Sequence, residues 1–283
     1  MQVDYEASPQ EEEKKDLEVG GYEDDSDDEL EKKEIEESKA EYEITLTDDG
    51  KQLTELADAT LLVLSGSHAQ TMAKIMYSGD WTEVGDGIKR SLDKDKPDKK
   101  PKTLLKLYAL PAQSVYFALP DSDKMGGSAI NPTVAQVFGT LKNISRVVVL
   151  HSLFKNKYPN PDELVGLPDG KLAMKTYKTS FVPEGDAAWL LSDIGTPAFF
   201  MAPTGGFGAA CLVECEMTGR SGFQVSLITD GHYVSTESMS AYAPVMVRLG
   251  LASGAADFDA IAQKPGFKDI LREANQTGTS MFC

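Results

Sequence analysis

Five groups of residues could carry chemistry in this chain. The first is Thr204-Gly205-Gly206-Phe207-Gly208, a glycine-rich turn set directly after an extended run over 198–202 and ahead of a predicted helix over 208–217. Such a strand-to-helix turn can hold a phosphate on free backbone N–H groups. It does not fit a Walker A loop, because no Gly-Lys-Ser/Thr follows. It keeps only a Gly-x-Gly of the dinucleotide fingerprint, at Gly206 and Gly208, with Cys211 in place of the last small residue. It reads either as a ligand loop or as a plain connection with an unusual turn.

The second group is the histidines His68, His151 and His232. His151 ends the run over 146–150, and His232 lies in the turn Asp230-Gly231-His232. Neither has a nucleophile beside it in sequence, and no Gly-x-Ser-x-Gly elbow is present. Third, Ser65-Gly66-Ser67-His68 looks reactive, yet a helix N-cap accounts for both serines. Fourth, Cys211 and Cys215 share one face of the predicted helix rather than the spacing of a zinc knuckle. No metal-ligand set, cofactor site or catalytic group is expected inside the fold, and the reading is of a protein that is not an enzyme.

The fifth group ends the chain. After Gln276-Thr277-Gly278-Thr279-Ser280, which is small and polar, come Met281, Phe282 and Cys283. The bland interpretation is a frayed terminus. The alternative is a compact ligand on a polar leash: one apolar side chain, one ring and one terminal carboxylate, suited to a narrow pocket containing a lysine.

These residues need a scaffold, and the apolar pattern supplies one. Leu61-Leu62-Val63-Leu64 is a short continuous apolar run, as in a strand buried on both faces, and Ser65-Gly66-Ser67 leads it into a helix over 68–77. Ser78-Gly79 breaks that helix, and Trp81 stands alone in a polar loop expected to reach Lys102. Residues 42–47 alternate as an edge strand does. Strands are predicted over 104–110 and 114–119, with Pro111-Ala112-Gln113 between them. A helix is predicted over 132–142, with Asn131 as N-cap and Pro132 in its first turn. The run 146–150 is a buried strand, 154–170 a long loop, and 188–191 and 198–202 short extended runs. The helix over 208–217, stopped by Gly219 and Gly222, precedes a strand of alternating burial over 223–229. Helices over 238–249 and 258–274 follow, the latter broken at Pro265-Gly266. Strands separated by helices argue for one α/β domain, over 43–275, with a largely parallel central sheet flanked by helices.

Charge divides the chain. Residues 1–43 hold 19 Asp and Glu against 5 Lys, a net of −14, whereas the whole 283-residue chain is −17. The acidity thus belongs to a tail over 1–42, which has too little apolar surface to offset the entropy of ordering and is expected to be disordered. Nothing basic is concentrated enough to neutralise phosphates, so nucleic acid is not an expected partner. The lysines of 94–102 alternate with aspartates and prolines as a solvated loop does. No apolar run approaches a bilayer span, and three cysteines without a secretory leader point to a reducing compartment.

The break Gly79-Asp80-Trp81 with Glu83-Val84-Gly85 behind it resembles the same region of the proteasome assembly chaperone 1 family, the larger partners of a chaperone heterodimer. Residues 144–150 with the variable loop after them, Ala209-Ala210-Cys211-Leu212 leading into 223–229, and Ser235-Thr236-Glu237-Ser238 onward also agree with it. The chain's end is similar to the hydrophobic–tyrosine–any-residue tail of proteasome activators and assembly chaperones, with Met281 in the hydrophobic position and Phe282 replacing tyrosine. The resemblance implies an α/β fold with no catalytic set. It also implies pairing with a second subunit of similar fold, like assembly chaperone 2, and docking on the outer face of the proteasome α-ring. There Met281, Phe282 and Cys283 would enter a pocket between α-subunits, in the cytoplasm and, by extension, the nucleus. The other reading is a small-molecule-binding α/β protein or phosphorylase-like hydrolase using Gly205 to Gly208.

Overall fold

A nine-stranded mixed sheet organises the computed structural model, which describes residues 40–77, 79–91, 101–121, 124–155, 172–189, 196–197, 206–229, 231, 233–254 and 256–279. The first strand, β1 (Ala40–Leu46), is followed by α1 (Asp48–Gln52), β2 (Ala59–Ser65) and α2 (Ser67–Tyr77). Then come β3 (Thr82–Ser91), β4 (Lys102–Leu110), β5 (Val115–Pro120), α3 (Gly127–Thr140) and β6 (Ile144–Phe154). The second half holds β7 (Ala173–Lys178), α4 (Glu184–Trp189), β8 (Thr196–Pro197), α5 (Phe207–Thr218) and β9 (Ser221–Thr229). Short helices α6 (Thr236–Ser240), α7 (Ala243–Arg248) and α8 (Ala256–Asp259) lead to α9 (Phe267–Thr279).

The strand order is β1-β3-β4-β5-β2-β6-β9-β7-β8. Its centre, β5-β2-β6-β9, is parallel, as the alternation of apolar runs and helices predicts. The flanks differ. β1, β3, β4 and β5 form an antiparallel series, and β7 runs antiparallel to β9. Residues from Ala40 onward form one compact α/β unit.

Alternation along the central strands sends side chains into two cores. Leu62, Leu64, Val148, Leu150, Phe223, Val225 and Leu227 pack under α2 and the C-terminal helices. Leu61, Val63, Val147 and Val149 pack under α3 and α5 on the other face. Because both faces are covered, β9 is buried almost throughout instead of alternating between core and solvent.

Several expectations are corrected. The segment after Trp81 is not a polar loop but the ten-residue strand β3. Its glycines, which read as turn residues, permit close approach: a Cβ on Gly85 would lie 2.3 Å from the Thr45 carbonyl oxygen. The lysine-rich residues 92–100 lie outside the described residues. Helix α3 begins at Gly127, with Gly126 rather than Asn131 at the N-cap, so Pro132 falls inside the helix instead of in its first turn. Ala188 belongs to α4, not to an extended run. The predicted helix over 238–249 is two short helices, parted where the buried Tyr242 turns inward.

The last helix continues through Thr279, so four residues expected in the flexible leash, Gln276 to Thr279, are helical. Residues 1–39, positions 156–170 of the predicted loop, the predicted run 198–202 and Met281, Phe282 and Cys283 lie outside the described residues.

Candidate functional site

Strand register brings polar residues of β2, β6, β9 and β7 into one row. Ser65 on β2 pairs in register with His151 on β6, and His151 pairs with Ser226 on β9, which pairs with Lys175 on β7. Following Val147 and Val149 in alternation, His151 falls on the face covered by α5. Gln224 shares that face and donates from Nε2 to Ser226 Oγ at 2.7 Å. Sequence separates these residues by up to 161 positions, and the parallel register alone brings them into one row.

His151 is unusual within that row. Both ring nitrogens are buried without a hydrogen-bond partner. Burial lowers its pKa from 6.5 to about 4, so the ring is neutral near pH 7. Its backbone carbonyl accepts the hydroxyl of the fully buried Tyr242 at 2.6 Å. Nucleophilic catalysis needs a base hydrogen-bonded to a nucleophile and to an orienting group. His151 makes neither bond, and it is held as a packing residue.

His68 is buried at the start of α2, with Ser67 Oγ 3.4 Å from Nδ1 and the Tyr233 carbonyl 3.3 Å from Nε2. Neither Ser65 nor Ser67 takes the expected capping place. The first helical bond runs from the Gln70 N–H to the Gly66 carbonyl, and Gly66 has φ +95°, a conformation glycine adopts without strain. His232 lies outside the described residues.

The glycine-rich turn is described from Gly206 onward. Gly206, at φ 128°, is the N-cap of α5. A Cβ on Gly208 would sit 2.7 Å from Val149 Cγ1. Glycine at 208 lets the helix settle directly on β6, so packing accounts for it without a ligand. Cys211 and Cys215 share the inner face of α5, as their spacing predicts, and both are free and buried. Burial pushes the Cys215 thiol up to about 12 and that of Cys211 well above its usual range, leaving neither as a ready thiolate. Among the described residues, no three His, Cys, Asp or Glu side chains converge as a metal site.

Trp81 is structural too. It stacks on Tyr108 with ring centroids 4.3 Å apart and meets Phe117 edge-on at 5.5 Å, closing one edge of the core under α2. The tail is reached through α9. Ile270, Leu271 and Ala274 pack this helix against the same core. Asn275 bolts it to the segment after β9, accepting from the Val234 N–H at 2.8 Å and donating to the Val234 carbonyl at 3.2 Å. This anchor had no signal in the sequence beyond an asparagine inside an amphipathic helix. Among the described residues, no helix is long and apolar enough to cross a membrane.

No protein-family model matches the chain, and no curated protein matches it in sequence. Its fold is similar to that of Pyrococcus furiosus PbaA, an archaeal homolog of proteasome-assembly chaperone. The two are 14% identical, with 85% of this chain and 100% of that chain covered and a TM-score of 0.56. A monoclinic form of PbaA gives 15% identity, 85% and 94% coverage and a TM-score of 0.55. Pyrococcus furiosus PbaB, an archaeal proteasome activator, is 12% identical over 84% of this chain and 99% of that chain, with a TM-score of 0.50. At these identities the likeness is one of fold.

Proposed function

We propose that this chain is a proteasome assembly chaperone that acts by binding rather than by catalysis. The observation that carries the reading is the likeness of fold to PbaA over the whole of that chain. The sequence agrees from two separate directions, the Gly79-Asp80-Trp81 segment and the Met281-Phe282-Cys283 end. In this reading the protein pairs with a second chaperone subunit of similar fold and sits on the outer face of the α-ring. It favours ring assembly in the cytoplasm, and in the nucleus, then leaves as the core particle matures. Met281, Phe282 and Cys283 enter a pocket between α-subunits.

An exposed apolar patch supports the paired state. Met217 is 79% exposed and Val213, one turn earlier on α5, is 45% exposed. Phe181, 50% exposed, borders the C-cap of the same helix, 3.8 Å from where a Cβ on Gly219 would lie. Single exposed apolar residues are ordinary, but contiguous ones mark surfaces that a partner covers. Co-expression with a second assembly chaperone should give a 1:1 complex in light scattering after size exclusion, and Met217→Asp should disrupt it. A monodisperse monomer at high concentration, with no affinity for such a subunit, would count against the heterodimer.

A further inference from the structure

Neighbouring strands bring a histidine and two serines together opposite a helix N-terminus, and the hydrogen bonds they leave unmade serve nothing above. In register, Ser65 closes β2, His151 lies beside it on β6, and Ser226 lies beside His151 on β9. Register partners share a face and adjacent strands lie about 4.8 Å apart, so the side chains form one short row.

Helix α5 runs back along this face, opposite in direction to β6. Cys215, late in the helix, packs where a Cβ on Gly222 would lie, and Gly222 is the register partner of Val147. Gly208, in the first turn, sits on Val149. The next residue of β6 on that face is His151, while the helix begins at Phe207. The ring therefore faces the helix start rather than its side. The N–H groups of Phe207, Gly208 and Ala209 precede the first helical bond, from the Ala210 N–H to the Gly206 carbonyl, and Gly206 offers no capping side chain. None of the three finds an acceptor among the described residues.

The row has donors to spare as well. Packing fixes the His151 ring, yet both its nitrogens are buried without a partner, which is rare for buried polar atoms. Ser226 Oγ accepts from Gln224, and neither it nor Ser65 Oγ donates to an acceptor among the described residues. A group that satisfies these donors accepts several hydrogen bonds at once and is favoured by the partial positive charge of a helix start. An oxyanion does both.

We propose that Ser65, His151, Ser226 and the start of α5 bind a small oxyanion, a phosphate or a carboxylate. The neutral imidazole donates one N–H to it, beside the serine hydroxyls and the backbone N–H groups of the first turn. The site does not depend on the proteasome reading, and either can fail alone.

The test is thermal shift and calorimetric titration of the full chain near pH 7, with sodium phosphate, sulfate and acetate as probes. Sodium chloride at equal ionic strength is the reference, because any salt screens the self-repulsion of a chain of net charge −17. At least one oxyanion should bind saturably and raise the melting temperature above the chloride value. Binding of phosphate and sulfate alone marks a tetrahedral anion, and binding of acetate marks a carboxylate. His151→Leu should weaken that binding by about tenfold or more, as loss of a hydrogen bond to a charged group does. Lys106→Gln, on β4 and away from the row, should bind as the parent does. In the parent, the ring nitrogen resonances of His151 should move as the anion saturates, a readout that needs no variant. No saturation by about 10 mM of any probe, equal binding by the parent and His151→Leu, or unmoved ring resonances would overturn the proposal.

Discussion

Taking the protein from about pH 7 to about pH 4 should cost it about 3 kcal/mol of folding stability through one side chain, His151. The folded-state pKa of this ring is lowered from 6.5 to about 4 because burial disfavours its charged form. The sign follows from proton counting. Above the unfolded value of 6.5 the ring is neutral in both states and the stability is intact. As the pH falls from 6.5 toward 4 the unfolded chain takes up a proton that the folded chain refuses, and stability is lost. Below about 4 both states are protonated and the loss levels off. His151→Leu removes the titrating group and leaves no buried nitrogen unpaired, so the variant should be at least as stable as the parent near pH 7. Urea unfolding of both proteins at the two pH values isolates the effect, because the carboxylates contribute equally to each. A variant with the parent's pH dependence would show that His151 is hydrated or paired in solution.

Phe282→Ala should weaken binding to proteasome α-subunits by about 2 kcal/mol, or roughly 30-fold, the usual cost of truncating an anchor ring in a pocket. In the chaperone reading Met281 and Phe282 supply the apolar burial of the tail and Cys283 its carboxylate. Phe282→Tyr should hold or strengthen binding, since tyrosine adds a hydroxyl whose hydrogen bond is worth about 1 kcal/mol. Appending a few residues after Cys283 should weaken it with every side chain still present, because the carboxylate moves away from the pocket's cation. None of these changes should shift the melting temperature, as the altered residues follow the last turn of α9. Equal affinity of the parent, the Phe282→Ala variant and the extended chain would leave docking to the folded surface alone.

The fold was legible wherever burial on both faces wrote a continuous apolar run. Leu61 to Leu64 and Val147 to Leu150 announce β2 and β6, and the breaks at Gly79, Gly219 and Gly266 lie just beyond α2 and α5 and just before α9. The edge position of β1 was readable for the opposite reason, since its alternation with Glu41 and Glu43 leaves one side to solvent. β3 was hidden because Gly85, Asp86 and Gly87 carry turn chemistry in sequence. In the sheet the two glycines make room for the Thr45 carbonyl and the Leu105 side chain. The start of α3 was hidden by Pro132, whose usual place in the first turn drew the predicted boundary five residues too late.

The row through Ser65, His151 and Ser226 could not be read at all. It is assembled by strand register from distant segments, and no local spacing records it. The glycine-rich turn left two readings open, a ligand loop or a plain connection, and contact with Val149 accounts for its Gly208.

The most direct test of the chaperone reading is to isolate the tagged full-length chain from cells together with whatever proteasome subunits it holds, and to identify them by mass spectrometry and native electrophoresis. The account predicts α-subunits and a second chaperone of the same fold in complexes smaller than the mature core particle, and little or none of the chain on finished particles. Recovery without α-subunits, or only on mature core particles, would contradict it.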